Sequence, residues 1–336
     1  MLLGLAPLRI SFAGGGTDLE EYHNKYDGFT ISATINKFTY VFARYRNDNK
    51  IQSFSPDFAS HLAPKTMDKI KSSQGHEIVL TCIKEMKFKN GLDIFFCSDV
   101  APGSGLGASS SMATNFVQVL LKLQNQKWDK NKIAMKAYSI GHDVLKWGIG
   151  KQDEFASCYG GINLYKFTKK KVDLTSVSLK KNTLKELQSN SLLFHMGSRG
   201  HSSNVLKKQV TNIEKSSNKT LEALDNAKKI AIQINDALKQ NDLTKFIELI
   251  NQGWEEKKKF ATGVTNKRIE QICNNALANG GEALKVTGAG GGGHLYVYAK
   301  QSKQEKIKDA LKKIGVNNVP FKFTKEGAKV NYIENL

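Results

Sequence analysis

Cysteine is scarce and scattered in this chain of 336 residues. Cys82, Cys97, Cys158 and Cys273 lie far apart, and none stands at C-x-x-C spacing. That argues against a disulfide framework or a zinc ribbon and fits a reducing cytoplasm. Long apolar runs are also missing: none approaches the ~20 residues that span a bilayer. The apolar start MLLGLAPLRI has no basic segment ahead of it, so it reads as a first strand and not as a secretion signal. Arginine is the third scarcity. Arg9, Arg44, Arg46, Arg199 and Arg268 are the only five among 50 basic residues, although the net charge is +19. Nucleic-acid readers lean on arginine forks. The charge therefore reads as a solvated lysine surface, or as attraction for an anionic small molecule, in preference to a nucleic-acid footprint. No repeat of fixed period is found.

The length suggests two domains. Residues 5–12, 28–46 and 91–100 read as strands, rich in Ile, Val, Thr, Phe and Tyr. Residues 109–126 carry apolar side chains at helical spacing, and 131–150 read as a second helical stretch. KQDEFASCYGGINLYKF reads as a return to strand, 191–198 as a buried strand, and 201–280 as mostly helical. A glycine loop and strand, an amphipathic helix and two short strands follow. Strand-rich and helical segments fill both halves, which predicts an α+β fold in layers rather than a regular doubly wound sheet. The lysine- and serine-rich stretch near 168–190 is the expected boundary, giving domains 1–180 and 181–336.

Three glycine sites carry the chemistry. PGSGLGASSS, between a strand and a helix, suits a phosphate cradle: glycines let the backbone approach an anion, and a helix N-terminus presents free N–H groups. A small polar loop with serine N-caps is the plainer alternative. No lysine follows these glycines, so the loop is not a Walker A loop. Near the C-terminus, Gly288, Gly290 and Gly293 fit G-x-G-x-x-G, the dinucleotide fingerprint of an NAD-dependent oxidoreductase. That fingerprint opens a helix, whereas here the strand-like HLYVYA follows. At the N-terminus, Gly14–Gly16, Thr17 and Asp18 put a carboxylate beside a glycine turn. This suits a hydroxyl-rich ligand, or equally a helix cap.

The three sites in this order resemble the GHMP kinase superfamily over essentially the whole chain. The first motif is APLRISFAGGGTD, the phosphate loop PGSGLGASSS with Ala108 in place of the usual serine, and the third motif KVTGAGGGG. Within the superfamily, APLRISFAGGGTDLEEY and GKQDEFASCYGGIN are most similar to D-glycero-D-manno-heptose 7-phosphate kinases, with fucokinase domains as near competitors.

The resemblance implies an N-terminal domain like ribosomal protein S5 domain 2, a ferredoxin-like C-terminal domain, and ATP in the cleft between them. It places the ATP phosphates on Pro102, Gly103, Ser104, Gly105, Leu106, Gly107, Ala108, Ser109 and Ser110. Mg²⁺ would take Ser109 and a carboxylate. The usual glutamate is missing near Gly141, and Asp143 is the nearest acid, otherwise a solvated helix residue. Asp153 matches the catalytic aspartate, and Arg9 the basic residue that stabilises it and the transferring charge. Gly15, Gly16, Thr17 and Asp18 would hold sugar hydroxyls, and Gly290, Gly291 and Gly292 would close over the site. For the substrate's own phosphate, Arg199 with Ser202 and Ser203 is the candidate from local chemistry. The implied reactants are ATP and a phosphorylated sugar, with no nucleic acid or membrane partner, in a monomer or homodimer.

Overall fold

The structure, a computed structural model, describes residues 1–70, 75–197 and 202–333. The strands are β1 (Leu2–Ala13), β2 (Gly28–Tyr45), β3 (Ile51–Ser55), β4 (Ser60–Lys65), β5 (Leu92–Ser98), β6 (Ile162–Phe167), β7 (Val172–Ser176), β8 (Ser191–His195), β9 (Ala283–Val286), β10 (His294–Tyr298), β11 (Asn317–Asn318) and β12 (Lys329–Tyr332). The helices of the first half are α1 (Glu20–Tyr26), α2 (Glu77–Glu85), α3 (Ala108–Leu123), α4 (Lys130–Ser139) and α5 (Gln152–Tyr159). Those of the second are α6 (Lys181–Ser189), α7 (Ser202–Glu214), α8 (Asn218–Gln240), α9 (Leu243–Lys258), α10 (Lys267–Ala278) and α11 (Gln301–Lys312).

Two sheets organise the molecule. The larger runs β12-β1-β2-β5-β3-β4, with β6 on the long β2 and β7 on β6; the smaller runs β11-β8-β10-β9. All pairings are antiparallel except β3 with β5. The smaller sheet falls within the second half of the chain, while β12 returns to pair with β1. The α+β layering expected from the sequence is present.

Strand β1 is the hinge of the design. Its side chains alternate between faces, so Leu8, Ile10 and Phe12 enter a core with α8 and α9. Arg9 and Ser11 are directed to the other side, towards the start of α5. Pro7 lacks an N–H and sits at a register shift against β2, where a broken ladder tolerates it. A second core fills the space between the larger sheet and α2–α5. A third packs the smaller sheet on α7, α10 and α11. Many lysines project from helices and pair at i,i+3, as Lys245 does with Glu248 and Lys308 with Glu305. Among the described residues no helix is long and apolar enough to cross a membrane.

One expectation is corrected. Residues 152–159 form helix α5 before β6 begins. The helix has eight residues and no side-chain cap at Lys151, so neither periodicity nor capping announces it. Gly160, with φ of 71°, ends it.

Candidate active site

The phosphate-loop stretch connects β5 to α3. Gly103, Gly105 and Gly107 take φ of 75°, 80° and 80°, a region that favours glycine. Gly107 is the residue before α3, and no side chain caps that end. The first-turn N–H groups therefore face an open cleft lined by Gly103, Ser104, Gly105, Gly107, Ala108 and Ser109. The serines divide the labour. Ser111 donates to the Ala6 carbonyl of β1 at 2.9 Å and anchors the helix. Ser110 is buried at the cleft wall, and Ser109 stays exposed there.

Opposite the loop stands the Arg9–Asp153 pair. Arg9 Nε donates to Asp153 Oδ1 at 2.7 Å and Nη2 to Oδ2 at 2.6 Å, a two-pronged fork. Its third nitrogen donates to the Gly105 carbonyl at 2.8 Å, tying the fork to the loop. Asp153 lies in the first turn of α5, where the helix end favours a negative charge. Gln152 donates to Asp153 at 3.3 Å and accepts from Ser11 at 2.9 Å, so β1 and α5 meet through a polar chain.

Glycine makes this juxtaposition possible. A Cβ on Gly107 would lie 3.0 Å from Asp153 Oδ2, in a backbone conformation that L side chains avoid. Gly107→Ala is thus expected to cost about 1–2 kcal/mol of stability. It should also lower kcat by about tenfold or more by displacing the carboxylate; steady-state rates and thermal melts check both.

The N-terminal glycine turn docks on the same helix. Asp18 Oδ1 accepts the Gly16 N–H at 2.8 Å and Oδ2 accepts the Gln152 N–H at 3.1 Å. Burial, then the Asp153 charge, holds the Asp18 carboxyl above its ordinary range, against those two donors. Gly15, Gly16 and Asp18 line the cleft. Thr17 does not. It is fully buried, and its hydroxyl is consumed by Gly14 and Phe29 backbone atoms inside the turn.

The third motif joins from the smaller sheet. The Lys285 ammonium donates to the Phe12 carbonyl at 2.8 Å, and burial, then the Arg9 charge, brings its pKa down to about 7. His294 Nδ1 lies 2.8 Å from the Ser104 carbonyl. Gly288 and Ala289 line the cleft. Gly290, Gly291 and Gly292 are not brought there. Gly291 donates to the Val264 carbonyl at 2.8 Å, and a Cβ on Gly290 would strike that same carbonyl.

Three other expected residues fall elsewhere. Leu106 is fully buried beneath the loop, where its carbonyl accepts the Arg9 N–H. Pro102 lines a neighbouring apolar pocket with Phe58, Phe96, Met112 and Trp147, which shares Ala108 and Ser109 with the cleft. Asp143 is not brought to the cleft: its side chain is 59% exposed and paired with His142 on a π-helical turn. Arg199 lies outside the described residues, as do the side chains of Ser202 and Ser203.

Mg²⁺ favours oxygen ligands, takes few of them from protein, and keeps its waters and substrate phosphates. Ser109 and Asp153 are such oxygens at the cleft. Among the described residues no three His, Cys, Asp or Glu side chains cluster to hold a metal by themselves. The donor set therefore fits an ion that arrives with a nucleotide.

Sequence reasoning missed Ser11, Gln152, Gln209, Lys257 and Phe260, all of which line the cleft. Ser11 could have been found, because it shares a strand face with Arg9. Gln209 and Lys257 sit on ordinary amphipathic helices, with no local signal.

Beside Asp153 on α5, Glu154 is fully buried, with Ser110 of α3 as a polar side-chain neighbour and no close hydrogen bond to either carboxylate oxygen. Burial, then the Asp153 charge, pushes its pKa up to about 8 from an ordinary 4.5. Between those values the folded chain holds a proton that the unfolded chain has released. Stability from this group is therefore intact below the lower pKa and lost as pH rises through the higher. Glu154→Gln should match the wild type in thermal melts near pH 4.5. Its advantage in Tm should grow towards pH 8 and level off above. An advantage independent of pH would contradict this.

Comparisons with known proteins agree with the geometry. A family model described as GHMP kinases N terminal domain matches residues 76–161, and one described as GHMP kinases C terminal matches residues 234–317. Together they span about half of the chain. The chain is 29% identical to the D-glycero-alpha-D-manno-heptose 7-phosphate kinase of Campylobacter jejuni, over 96% of each protein. It is 24% identical to the L-fucokinase/L-fucose-1-P guanylyltransferase of Bacteroides fragilis, over 94% of this chain and 36% of that one. Among solved structures it superposes on a D-glycero-D-manno-heptose 1-phosphate kinase from Bacteroides thetaiotaomicron. The TM-score is 0.81 and the identity 25%, with 100% of both chains covered.

Proposed function

We propose that this chain, which belongs to the GHMP kinase superfamily and is an ATP-dependent sugar kinase, phosphorylates the anomeric hydroxyl of D-glycero-D-manno-heptose 7-phosphate. The product would be the 1,7-bisphosphate, a precursor for nucleotide-activated heptose. The observation that carries the reading is the Arg9–Asp153 fork held against the phosphate loop inside one cleft. The heptose kinase relative matched over nearly its full length supports the acceptor.

In this reading the ATP phosphates lie on the Gly103–Gly107 backbone and the first turn of α3. The apolar pocket of Phe58, Phe96, Met112 and Trp147 takes the adenine. Mg²⁺ bound with ATP would neutralise phosphate charge, with Ser109 as a protein ligand. Asp153 accepts the proton of the anomeric hydroxyl as that oxygen bonds to the γ-phosphorus; the bond from the γ-phosphorus to the bridging oxygen breaks and ADP leaves. Arg9 orients the Asp153 carboxylate through the fork and presents positive charge to the transferring group. The acceptor's own phosphate needs a cation, and Arg199 is the candidate, since the Lys257 ammonium in the cleft already donates to the Val286 and Gly288 carbonyls.

The relatives' names differ in the acceptor: heptose 7-phosphate, heptose 1-phosphate, fucose. A screen of ATP consumption across free and phosphorylated hexoses and heptoses separates them. Selective turnover of heptose 7-phosphate is expected. Preference for L-fucose or for a heptose 1-phosphate would overturn the assignment.

A further inference from the structure

We propose that Gln209 recognises the sugar, its side-chain amide hydrogen-bonding a hydroxyl of the acceptor. The inference rests on the sugar-kinase reading above. Gln209 lies on α7 and lines the cleft on the wall that meets the N-terminal glycine turn. The residue is only 3% exposed, and its amide nitrogen is buried without a hydrogen-bond partner. Removing such a donor from water is unfavourable unless a partner replaces the water. Among the described residues nothing does so, and by turning about its terminal torsion the amide can meet a ligand in the cleft.

The chain makes specific room for this amide. A Cβ on Gly16, whose φ is 101°, would fall 2.2 Å from Gln209 Nε2 and 3.3 Å from Cδ. Only glycine at that position lets the amide lie against the turn that also carries Asp18. An amide both donates and accepts, as a sugar hydroxyl does. Its terminal torsion is soft, so either end can turn to a ligand. Leu206, one helical turn earlier, and Phe260 line the cleft beside it and offer apolar surface to the C–H face of a pyranose. The neighbours of Gln209 are thus those of the acceptor end of the cleft, where Gly15, Gly16 and Asp18 stand, and not those of the phosphate loop.

The test compares wild type with Gln209→Leu, using ATP, D-glycero-D-manno-heptose 7-phosphate and a series of its monodeoxy analogues. The variant should raise KM for the heptose phosphate about tenfold or more while KM for ATP stays within about twofold. One deoxy analogue should lose a similar factor with wild type and lose nothing further with the variant. An unchanged sugar KM, an equal rise in both KM values, or full additivity with every analogue would overturn the assignment. If the wild type turns over a different sugar, the heptose reading falls and the same comparison on that sugar decides for Gln209. If Gln209→Leu does not fold, Gln209→Asn takes its place. It keeps a polar amide but withdraws it from the cleft, and the same selective rise in sugar KM is expected.

Discussion

Asp153→Asn is expected to lower kcat by about 10²–10⁴-fold while ATP still binds. The amide cannot take a proton, and it presents an N–H₂ group to one prong of the Arg9 fork. Arg9, 5% exposed, then loses its counter-charge, so a modest loss of stability should accompany the loss of rate. The phosphate loop keeps its glycines, its junction with α3 and the Arg9 contact to Gly105 in this variant. Nucleotide affinity by calorimetry should therefore change little. Near-normal turnover would remove Asp153 from the chemistry. Loss of nucleotide binding together with activity would mean that the residue is structural.

Arg9→Met is the second large effect. It removes the fork on Asp153, the contact to Gly105 and the positive charge beside the transferring phosphoryl group. A single lost stabiliser of transition-state charge typically costs about 10²–10³ in kcat. The side chain of Asp153 is 21% exposed, so the stability cost should be about 2–3 kcal/mol, below the ~3–5 of fully buried pairs. Arg9→Lys restores charge without the fork and should recover only part of the rate. Full recovery would show that charge alone matters, and no recovery that geometry alone does.

Much of this site is legible in the sequence, because its parts are local. A strand that alternates as LRISF puts Arg9 and Ser11 on one face, and glycines ahead of an amphipathic run announce an open helix start. What is not legible there depends on distant contacts. Whether Asp18 points at a ligand or clasps the N–H of Gln152 is decided by α5, more than 130 residues away. Gly290 and Gly291 read as a flap over the cleft, but they pack on Val264 from the α9–α10 connection, which no local rule foretells. Helix α5 itself reads as strand, since eight uncapped residues carry too little periodic signal. Asp143 shows the opposite failure: it is the acid nearest the missing glutamate in the sequence, but it sits exposed on a π-helical turn, paired with His142. Gln209 reaches the cleft only because Gly16, far away in sequence, leaves space for it.

The proposed reaction moves a phosphoryl group from ATP to the anomeric oxygen of a sugar that already carries a phosphate. Phosphorus NMR of the product made from ATP and D-glycero-D-manno-heptose 7-phosphate tests it most directly. A second sugar phosphate resonance coupled to the anomeric proton is expected, with ADP formed in equal amount. A new phosphate at any other carbon, or inorganic phosphate as the sole product besides ADP, would contradict it.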